Sequence, residues 1–522
     1  MNKASRTPLG WPVLLFVTAN FVSNVGTWLF TLASSWLMTE LDGSALMVSL
    51  VQSASTIPLF IFALPAGALG DIFDRRRSLL IAQAFLTIST AIFAYVVYCD
   101  LATVQLLLFF TFLNGVGAAF SRPVMAAIIP QLVDKVHLRT AVNLGGISFN
   151  LSRSVGPAVG GYLITRFNIA LPFWIDAATF LAVLIYLFYW RDDREGIKGG
   201  QQPPLRLAIG DSWRFFRYTP ALRHSILKAA TFFFASGALW ALLPLVARNQ
   251  LSGDADLYGY LVGAAGAGAV LAGFVIGRLT SGIGANNVML VASGIMSVGL
   301  CLLGWSTSIP LSLVFCGLCG AAWQSAYTTL MTSAQYALPR WFGARGMAYY
   351  IMSISLCLAV GSALWGWIAD LSSLSVGYYS AAGTLIVMAL LGRSFRLDQA
   401  KDVDLDAASE SLFDYVKKED NQTTIFSLLI VKYSIDHKLR EELLQRLTSL
   451  RGSRYRSGSL RRELYLSEEA GYVEEHTLII ANQNYSRSRF QTTAHDAKME
   501  AQFQSWLKEQ GGKVEREVLY QS

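Results

Sequence analysis

Long apolar blocks alternate with short polar segments along the first 396 residues, whereas the apolar stretches in the rest of the chain are shorter. A block of about 20 mostly apolar residues is long enough to cross a bilayer as a helix. The first block is too long for the apolar core of a signal peptide, which is about 7–15 residues, so it is expected to be retained. The blocks predict twelve transmembrane helices, near residues 11–38, 45–69, 78–98, 103–128, 140–164, 171–190, 226–247, 257–280, 287–306, 309–334, 347–369 and 375–394.

After residue 396 the pattern predicts a small α+β domain. The run TIFSLLIVKYS, residues 424–434, is typical of a strand, and DHKLREELLQRLTSL after it is typical of a helix. The strands SLRRELYLS and GYVEEHTLIIA, a helix through Trp506 and the strand KVEREVLY complete the domain. This β-α-β-β-α-β order predicts a ferredoxin-like fold.

The predicted fold class is an all-α membrane protein with twelve transmembrane helices in two six-helix halves, followed by a C-terminal α+β ferredoxin-like domain. Two stretches support related halves, because VGPAVGG at 155–161 recurs as VGSALWG at 360–366. Duplicated six-helix halves are typical of transporters. The predicted domains are 1–190, a linker 191–223, 224–396, a second linker 397–420, and 421–522.

Composition supports the membrane assignment. The chain is 53% hydrophobic and 15% charged, against about 25% charged in soluble domains. Residues 1–396 carry 24 basic and 14 acidic side chains, and residues 397–522 carry 18 and 21, so only the tail has a soluble composition. Basic residues in membrane loops follow from topology, so no nucleic-acid partner is predicted. Cys316 and Cys319 lie within an apolar run, which favours packing over a metal or redox site, and no cofactor is predicted.

Lysine and arginine mark the cytoplasmic side of membrane helices. With the N-terminus inside, seventeen of them fall in inner segments, whereas outer loops contain only Arg166 and Arg248. This asymmetry predicts a multi-pass protein of the inner (plasma) membrane with both termini in the cytoplasm.

The loop after the second span is highly charged. The stretch GALGDIFDRRRSLL, residues 67–80, resembles the signature loop of the major facilitator superfamily, and Gly67, Asp71, Arg75 and Arg76 match it. A glycine lets helices approach closely, and an aspartate at a helix end can accept hydrogen bonds from the N-terminus of a neighbouring helix. We predict that these residues form a conformational latch; the alternative is that the arginines only mark topology.

A second stretch, residues 118–163, resembles spans four and five of the enterobactin-exporter and macrolide-efflux subgroup of that superfamily. Its ending, with Gly156, Pro157, Gly160 and Gly161, is similar to the GPxxGG element associated with exporters. The transporter resemblance covers about residues 10–396. The tail resembles modules of monooxygenase type, but residues 481–484 replace the tryptophan and histidine of those modules, so no catalytic residues are predicted.

Polar and aromatic side chains inside the spans predict a substrate cavity, because a polar group in hydrocarbon usually faces a cavity or a partner. By resemblance, spans one, four, seven and ten line that cavity. The competing explanation is helix–helix hydrogen bonding, worth about 0.6 kcal/mol per contact. The candidate residues are Asn20, Asn24, Trp28, Asn114, Arg122, Arg153, Trp240, Trp323 and Gln324.

Arg153 lies near the middle of the fifth span, and its counterpart in the second half is Leu358. A charge in only one half is not required by the fold. Arg153 either attracts an anionic substrate or is a structural arginine, paired with backbone or with Asp176. Asp176 of the sixth span is also the candidate for proton coupling, which the resemblance implies.

These features predict a secondary active transporter, and not an enzyme, that exports an amphipathic small molecule by alternating access. A siderophore is the leading substrate class. The alternatives are a multidrug or macrolide efflux pump and, after it, a nutrient importer or a lipid transporter. The expected partners are the small-molecule substrate, membrane lipids and coupling protons. Self-association through the C-terminal domain is also predicted, because a paired sheet face would bury Phe426, Leu428 and Ile430.

Overall fold

The structure is a computed structural model that describes residues 11–72, 75–132, 138–189, 213, 215–339, 343–397, 405, 426–457, 459–466, 472–480 and 492–520. The packing around Gly67, the side chains of Asp71 and Arg75, and residues 481–484 lie outside the part that is described. The predicted roles of these residues therefore stay predictions.

Long helices account for nearly all of the first 397 residues that are described. In the first half they are α1 (Trp11–Leu41), α2 (Ala45–Ile72), α3 (Arg75–Tyr98), α4 (Val104–Leu132), α5 (Leu138–Arg166) and α6 (Leu171–Tyr189). In the second half they are α7 (Pro220–Leu245), α8 (Ala255–Ile283), α9 (Ala285–Trp305), α10 (Ile309–Tyr336), α11 (Gly343–Leu371) and α12 (Leu374–Leu391). A π-helical turn, Val246–Gln250, continues α7.

Ten of these helices are long and apolar enough to cross a membrane, judged on the described residues. The other two, α1 and α5, are of similar length and contain several polar side chains, among them Asn24 and Arg153. A mostly helical membrane fold is thus confirmed, and the count of twelve spans stays a prediction.

Aromatic rings and close helix contacts hold the first half together. The ring centroid of Phe93 lies 4.9 Å from that of Phe173 and 5.1 Å from that of Phe110. α1 approaches α6 at Gly26, where an added Cβ would lie 2.7 Å from Asp176 Oδ1. Helix α1 also packs along α5. These contacts fix the position of α1 beside the polar middle of α5.

The described residues fall into two compact units. The first takes its residues from 1–196, 225–332 and 348–397, and so contains most of the long helices. The second takes its residues from 197–224, 333–347 and 398–522. The end of the polar connection before α7 therefore belongs to the same unit as the C-terminal tail.

The described residues of the tail form a four-stranded antiparallel sheet and three α-helices. The strands are β1 (Phe426–Ser434), β2 (Arg461–Leu466), β3 (Tyr472–Ile480) and β4 (Lys513–Tyr520), in the order β2-β3-β1-β4. The helices are α13 (Arg440–Ser449), α14 (Arg451–Arg456) and α15 (Ala494–Glu509). Because strand residues alternate between faces, Leu429, Val431 and Tyr433 meet Leu443 and Phe503 in one core. The element order and the strand order agree with the predicted ferredoxin-like unit.

Candidate functional site

Helices α5 and α8 belong to different halves and pack closely over part of their length. An added Cβ on Gly161 would overlap the backbone of α8, and one on Gly259 would lie 2.6 Å from the Pro157 carbonyl oxygen. Further along, a Cβ on Gly266 would lie 2.7 Å from the Cα of Ser154. Small residues thus let the two helices touch backbone to backbone.

Beyond this contact the two helices separate. Gly273 and Gly277 lie on the same face of α8 as Gly266, two and three turns further on. An added Cβ on either would meet no described atom within 4 Å. Gly146 of α5, three turns before Pro157, is equally open. The two helices therefore form a V, and we call the end near Gly161 the closed end and the end near Gly146 the open end.

Side chains from both halves fasten the closed end. Arg248, just after α7, donates from Nη1 to Thr39 Oγ1 of α1 at 3.0 Å, and its guanidinium lies 5.9 Å from the Trp36 ring. The Trp36 ring stacks on Tyr258 of α8, with centroids 6.2 Å apart. These contacts tie α1 to both α7 and α8.

Helices α2 and α11 join the halves at the same end. The backbone N–H of Ala45 donates to Asp370 Oδ1 at 3.0 Å, so the last turn of α11 caps the start of α2. About two turns further along α2, Ser53 Oγ donates to the Ala359 carbonyl oxygen at 2.7 Å. The sequence pattern predicts no role for these residues, although Asp370 directly follows the predicted span 347–369.

Arg153 lies where the V begins to open. Its side chain is only 6% exposed, and its Nη1 donates to Gln324 Oε1 of α10 across a long 3.5 Å hydrogen bond. The guanidinium carbon lies 6.0 Å from the Trp28 ring and 5.3 Å from the Trp240 ring, within cation–π range. Nε and Nη2 of Arg153 have no hydrogen-bond partner among the described residues. Burying a charge with unpaired donors is costly, and an acceptor bound to these nitrogens would reduce that cost.

An aromatic wall continues from Arg153 into the second half. The Trp240 and Trp323 rings meet edge to face at 5.6 Å, and Phe233 packs on Trp323 at 4.8 Å. Gln324 donates from Nε2 to Thr328 Oγ1 at 3.0 Å, which turns its carbonyl oxygen towards Arg153. The predicted residues that the structure brings together are therefore Trp28, Arg153, Trp240, Trp323 and Gln324.

The other predicted cavity residues make no described hydrogen bond or ring contact with this cluster. Asn20 and Asn24 are partly exposed on α1 and make no described hydrogen bond with the cluster. Asn114 is buried on α4, and its Nδ2 has no partner among the described residues. Arg122 is exposed, and Tyr327 lies within electrostatic range of both Arg122 and Arg153. A role for these residues stays a prediction.

The GPxxGG glycines have distinct packing partners. An added Cβ on Gly156 would lie 2.8 Å from Trp28 Cβ, and one on Gly160 would lie 3.0 Å from Leu29 Cδ2. Both of these glycines face α1, whereas Gly161 faces α8. The motif thus lets α5 fit between helices of the two halves, and it brings Trp28 next to Arg153.

Arg76 of the charged loop motif binds the end of α6. It donates from Nε to the Leu187 carbonyl oxygen at 2.9 Å and from Nη2 to the Phe188 carbonyl oxygen at 2.6 Å. A cation that binds the last carbonyls of a helix stabilises its C-terminus. Arg76 therefore fixes α3 to the end of α6.

Asp176 is fully buried between α6 and α1. Neither carboxyl oxygen has a hydrogen-bond partner among the described residues, and an added Cβ on Gly26 would lie 2.7 Å from Oδ1. Asp176 is not the partner of Arg153, whose one described hydrogen bond goes to Gln324. The alternative that paired these two charges is therefore not supported.

The fold and the site together define a membrane transporter, with a cluster of cationic, amide and aromatic groups between two helical halves. A family model described as transmembrane secretion effector (MFS_3) matches residues 5–520, so the chain belongs to this family of major facilitator superfamily transporters. The assignment to a transporter family, and not to an enzyme family, is thereby confirmed.

Curated relatives and a solved structure agree with this assignment. The staphyloferrin A transporter of Staphylococcus aureus is 23% identical over 288 residues, which are 55% of this chain and 72% of that protein. The multidrug efflux pump Tap of Mycolicibacterium fortuitum is 24% identical over 412 residues, 76% of this chain and 97% of that protein. The crystal structure of the nucleoside transporter NupG has a TM-score of 0.58 at 15% identity, covers 74% of this chain and 99% of that chain, and shows the fold alone.

Proposed function

We propose that the protein is a secondary active transporter that exports an amphipathic, anionic small molecule by alternating access, with a siderophore as the leading substrate class. One observation carries the substrate class. Nε and Nη2 of the buried Arg153 guanidinium are unpaired among the described residues. A pair of carboxylate or catecholate oxygens would accept from both nitrogens in the bidentate geometry that arginine favours.

The surroundings of Arg153 suit an amphipathic molecule. Trp28 and Trp240 lie beside the guanidinium, Trp323 packs on Trp240, and all three are partly exposed. Binding pockets for organic molecules combine such apolar walls with a few placed polar groups. The relative named for staphyloferrin A supports a siderophore, and the relative named for multidrug efflux supports a drug as the second candidate.

The shape of the V supports loading from the cytoplasm. Its closed end carries Arg248, which the charge asymmetry places on the outer side, and its open end carries the start of α5, which the same asymmetry places on the inner side. The conformation then faces the cytoplasm, which is where an exporter binds its substrate. We place the protein in the inner (plasma) membrane with both termini in the cytoplasm.

Coupling to protons is part of the proposal. An ionisable side chain inside a span is costly and commonly marks a proton or substrate pathway, above all when it is buried without a hydrogen-bond partner. Asp176 meets this description within the described residues. We propose it as the coupling residue, next to the Gly26 face of α1.

Deletion of the gene, followed by profiling of exported metabolites under iron limitation, tests the proposed function. The deletion strain is expected to lose an anionic metabolite from the medium and to accumulate it inside the cell. Complementation with the wild type and with Arg166→Ala, an exposed arginine at the end of the same helix, should restore export. Arg153→Ala should not.

Two results would contradict the proposal. Unchanged exported metabolites, with a changed sensitivity to drugs, would favour the multidrug pump. A loss of uptake in place of export would favour an importer.

A further inference from the structure

The C-terminal module, residues 426–520, holds the chain just before α7. Tyr218 of that segment stacks on Tyr455 of α14, with ring centroids 4.3 Å apart and ring planes 4° from parallel. The guanidinium of Arg451 lies 5.9 Å from each of the two rings. Stacked aromatic pairs and cation–π contacts stabilise an interface beyond the burial of apolar area, so this contact stabilises the docked position of Tyr218.

A backbone contact fixes the same segment. Arg456 donates from Nη1 to the Tyr218 carbonyl oxygen at 2.6 Å. Its other nitrogens pair with the carboxylate of Asp496, which is 1% exposed and accepts from Arg456 Nε at 3.2 Å. Asp496 is itself held at the start of α15, where its N–H donates to Thr493 Oγ1. Arg456 is therefore oriented by the module before it reaches Tyr218.

A buried charge network anchors α14 to the sheet. Arg454 donates from Nε to Glu475 Oε1 at 3.2 Å, Arg462 donates to the same oxygen at 2.6 Å, and the Tyr433 hydroxyl donates to Glu475 Oε2 at 2.8 Å. Burial alone would raise the pKa of Glu475, but the two guanidinium groups hold that pKa below its ordinary value. Glu475 thus stays ionised, and Arg454 bonds the helix that carries Tyr455 and Arg456 to the sheet.

The held segment leads directly into α7. Thr219 and Pro220 follow Tyr218, and α7 begins at Pro220. The same helix carries Phe233 and Trp240, which form part of the wall beside Arg153. A helix moves with its first turn, so a contact that fixes Tyr218 also restrains the start of α7.

We propose that the C-terminal module is a clamp on the entry to α7 that favours the conformation seen here, with the V open at the Gly146 end. A contact formed in one conformation stabilises it by the difference in free energy between states. This role goes beyond the proposed function and depends on no particular substrate.

The test uses the full chain in lipid nanodiscs without added substrate. Tyr218→Ala, Tyr455→Ala and Arg456→Ala each break the clamp, and Tyr455→Phe keeps the stacked ring. Tyr465→Ala and Arg461→Ala, which remove exposed side chains of β2, are the matched controls. Hydrogen exchange of residues 215–224 should become about tenfold faster in the three clamp variants and should not change in Tyr455→Phe or the controls.

The second readout follows the open end of the V. A Gly273→Cys probe, in a Cys99→Ser background that removes the exposed native cysteine, reports access by its rate of reaction with N-ethylmaleimide. Breaking the clamp should slow that reaction by roughly threefold. Exchange in β1 and β3 shows whether the module is still folded, and Tyr218→Ala leaves the module itself unchanged.

Unchanged exchange at 215–224 in Tyr218→Ala would overturn the docking. Faster exchange with an unchanged or higher labelling rate would overturn the role in favouring the open conformation. Neither result depends on whether the substrate has been identified.

Discussion

Arg153 Nη1 and Gln324 Oε1 lie 3.5 Å apart, on α5 of one half and α10 of the other. The two residues meet where the closed end of the V gives way to the open end. Gln324 leaves Nε and Nη2 of Arg153 without a partner among the described residues. A ligand that binds these nitrogens would therefore be linked to both halves, directly through Arg153 and indirectly through Gln324.

Arg153→Lys is expected to weaken binding of the exported metabolite by about tenfold, because an ammonium group cannot reproduce the two parallel hydrogen bonds of a guanidinium. Expression and the melting temperature without substrate should stay close to those of the wild type. The concentration dependence of transport, measured beside Arg166→Lys as the control, checks this. A lowered melting temperature with unchanged affinity would show a structural arginine instead.

Gln324→Glu is expected to replace the ligand with a built-in carboxylate. The new side chain would pair with Arg153 across the halves, so transport should fall strongly. The melting temperature should be unchanged or raised by a few degrees, because a well-paired buried ion pair roughly balances its desolvation. Gln324→Ala is the control, since it removes the amide without adding a charge. Equal transport by the two variants would argue against competition for Arg153.

Gly161→Ala is expected to destabilise the protein by about 1–3 kcal/mol, because its Cβ would overlap the backbone of α8. Gly273→Ala is the matched control on the open side, where a Cβ meets no described atom within 4 Å. Alanine there should stabilise the helix by about 0.5–1 kcal/mol. Thermal unfolding of the two purified variants tests the difference. Equal melting temperatures would mean that α5 and α8 do not pack as described.

Asp370→Ala should weaken the closed end, because it removes the acceptor for the Ala45 N–H at the start of α2. Loss of such a cap costs about 1 kcal/mol. The rate at which a thiol reagent reacts with Thr39→Cys should rise when Asp370 is replaced. An unchanged rate would show that Asp370 stabilises α2 but does not hold the closed end.

Asp71→Asn is expected to slow transport without reducing insertion, as predicted for the conformational latch. The contacts at the two ends of α2 would then alternate. Asp370 would cap α2 while the V is closed at the Gly161 end, and the latch at Asp71 would form after the V has closed at the Gly146 end. Transport by a well-expressed Asp71→Asn variant tests this. A wild-type rate would leave the charged loop as a marker of topology.

The sequence was most informative inside the spans, where a polar or charged side chain costs free energy in the hydrocarbon. Arg153 could be identified from one sequence because a charged residue inside a span is rare and usually functional. The tryptophans on neighbouring spans predicted its aromatic surroundings. The same argument selected Arg122 and Asn114, which make no described hydrogen bond to the cluster. Polarity alone does not say which face of a helix meets which neighbour.

Contacts between the halves could not be predicted from the sequence, for a geometric reason. Trp36, Thr39 and Tyr258 are ordinary span residues until the register of α1 against α8 is known. The docking of Tyr218 on Tyr455 joins positions more than 200 residues apart, and no local pattern records it. The tail fold was easier to predict, because strand alternation and helix periodicity are local signals.

The central claim is that Arg153 binds an anionic metabolite during export, and counterflow into proteoliposomes tests it most directly. Vesicles loaded with the metabolite that disappears from the medium of the deletion strain are diluted into a labelled trace of the same compound. The wild type and Arg166→Ala should accumulate label, whereas Arg153→Ala should give only the level of protein-free vesicles. Accumulation by Arg153→Ala at the wild-type rate and with the wild-type concentration dependence would contradict the claim.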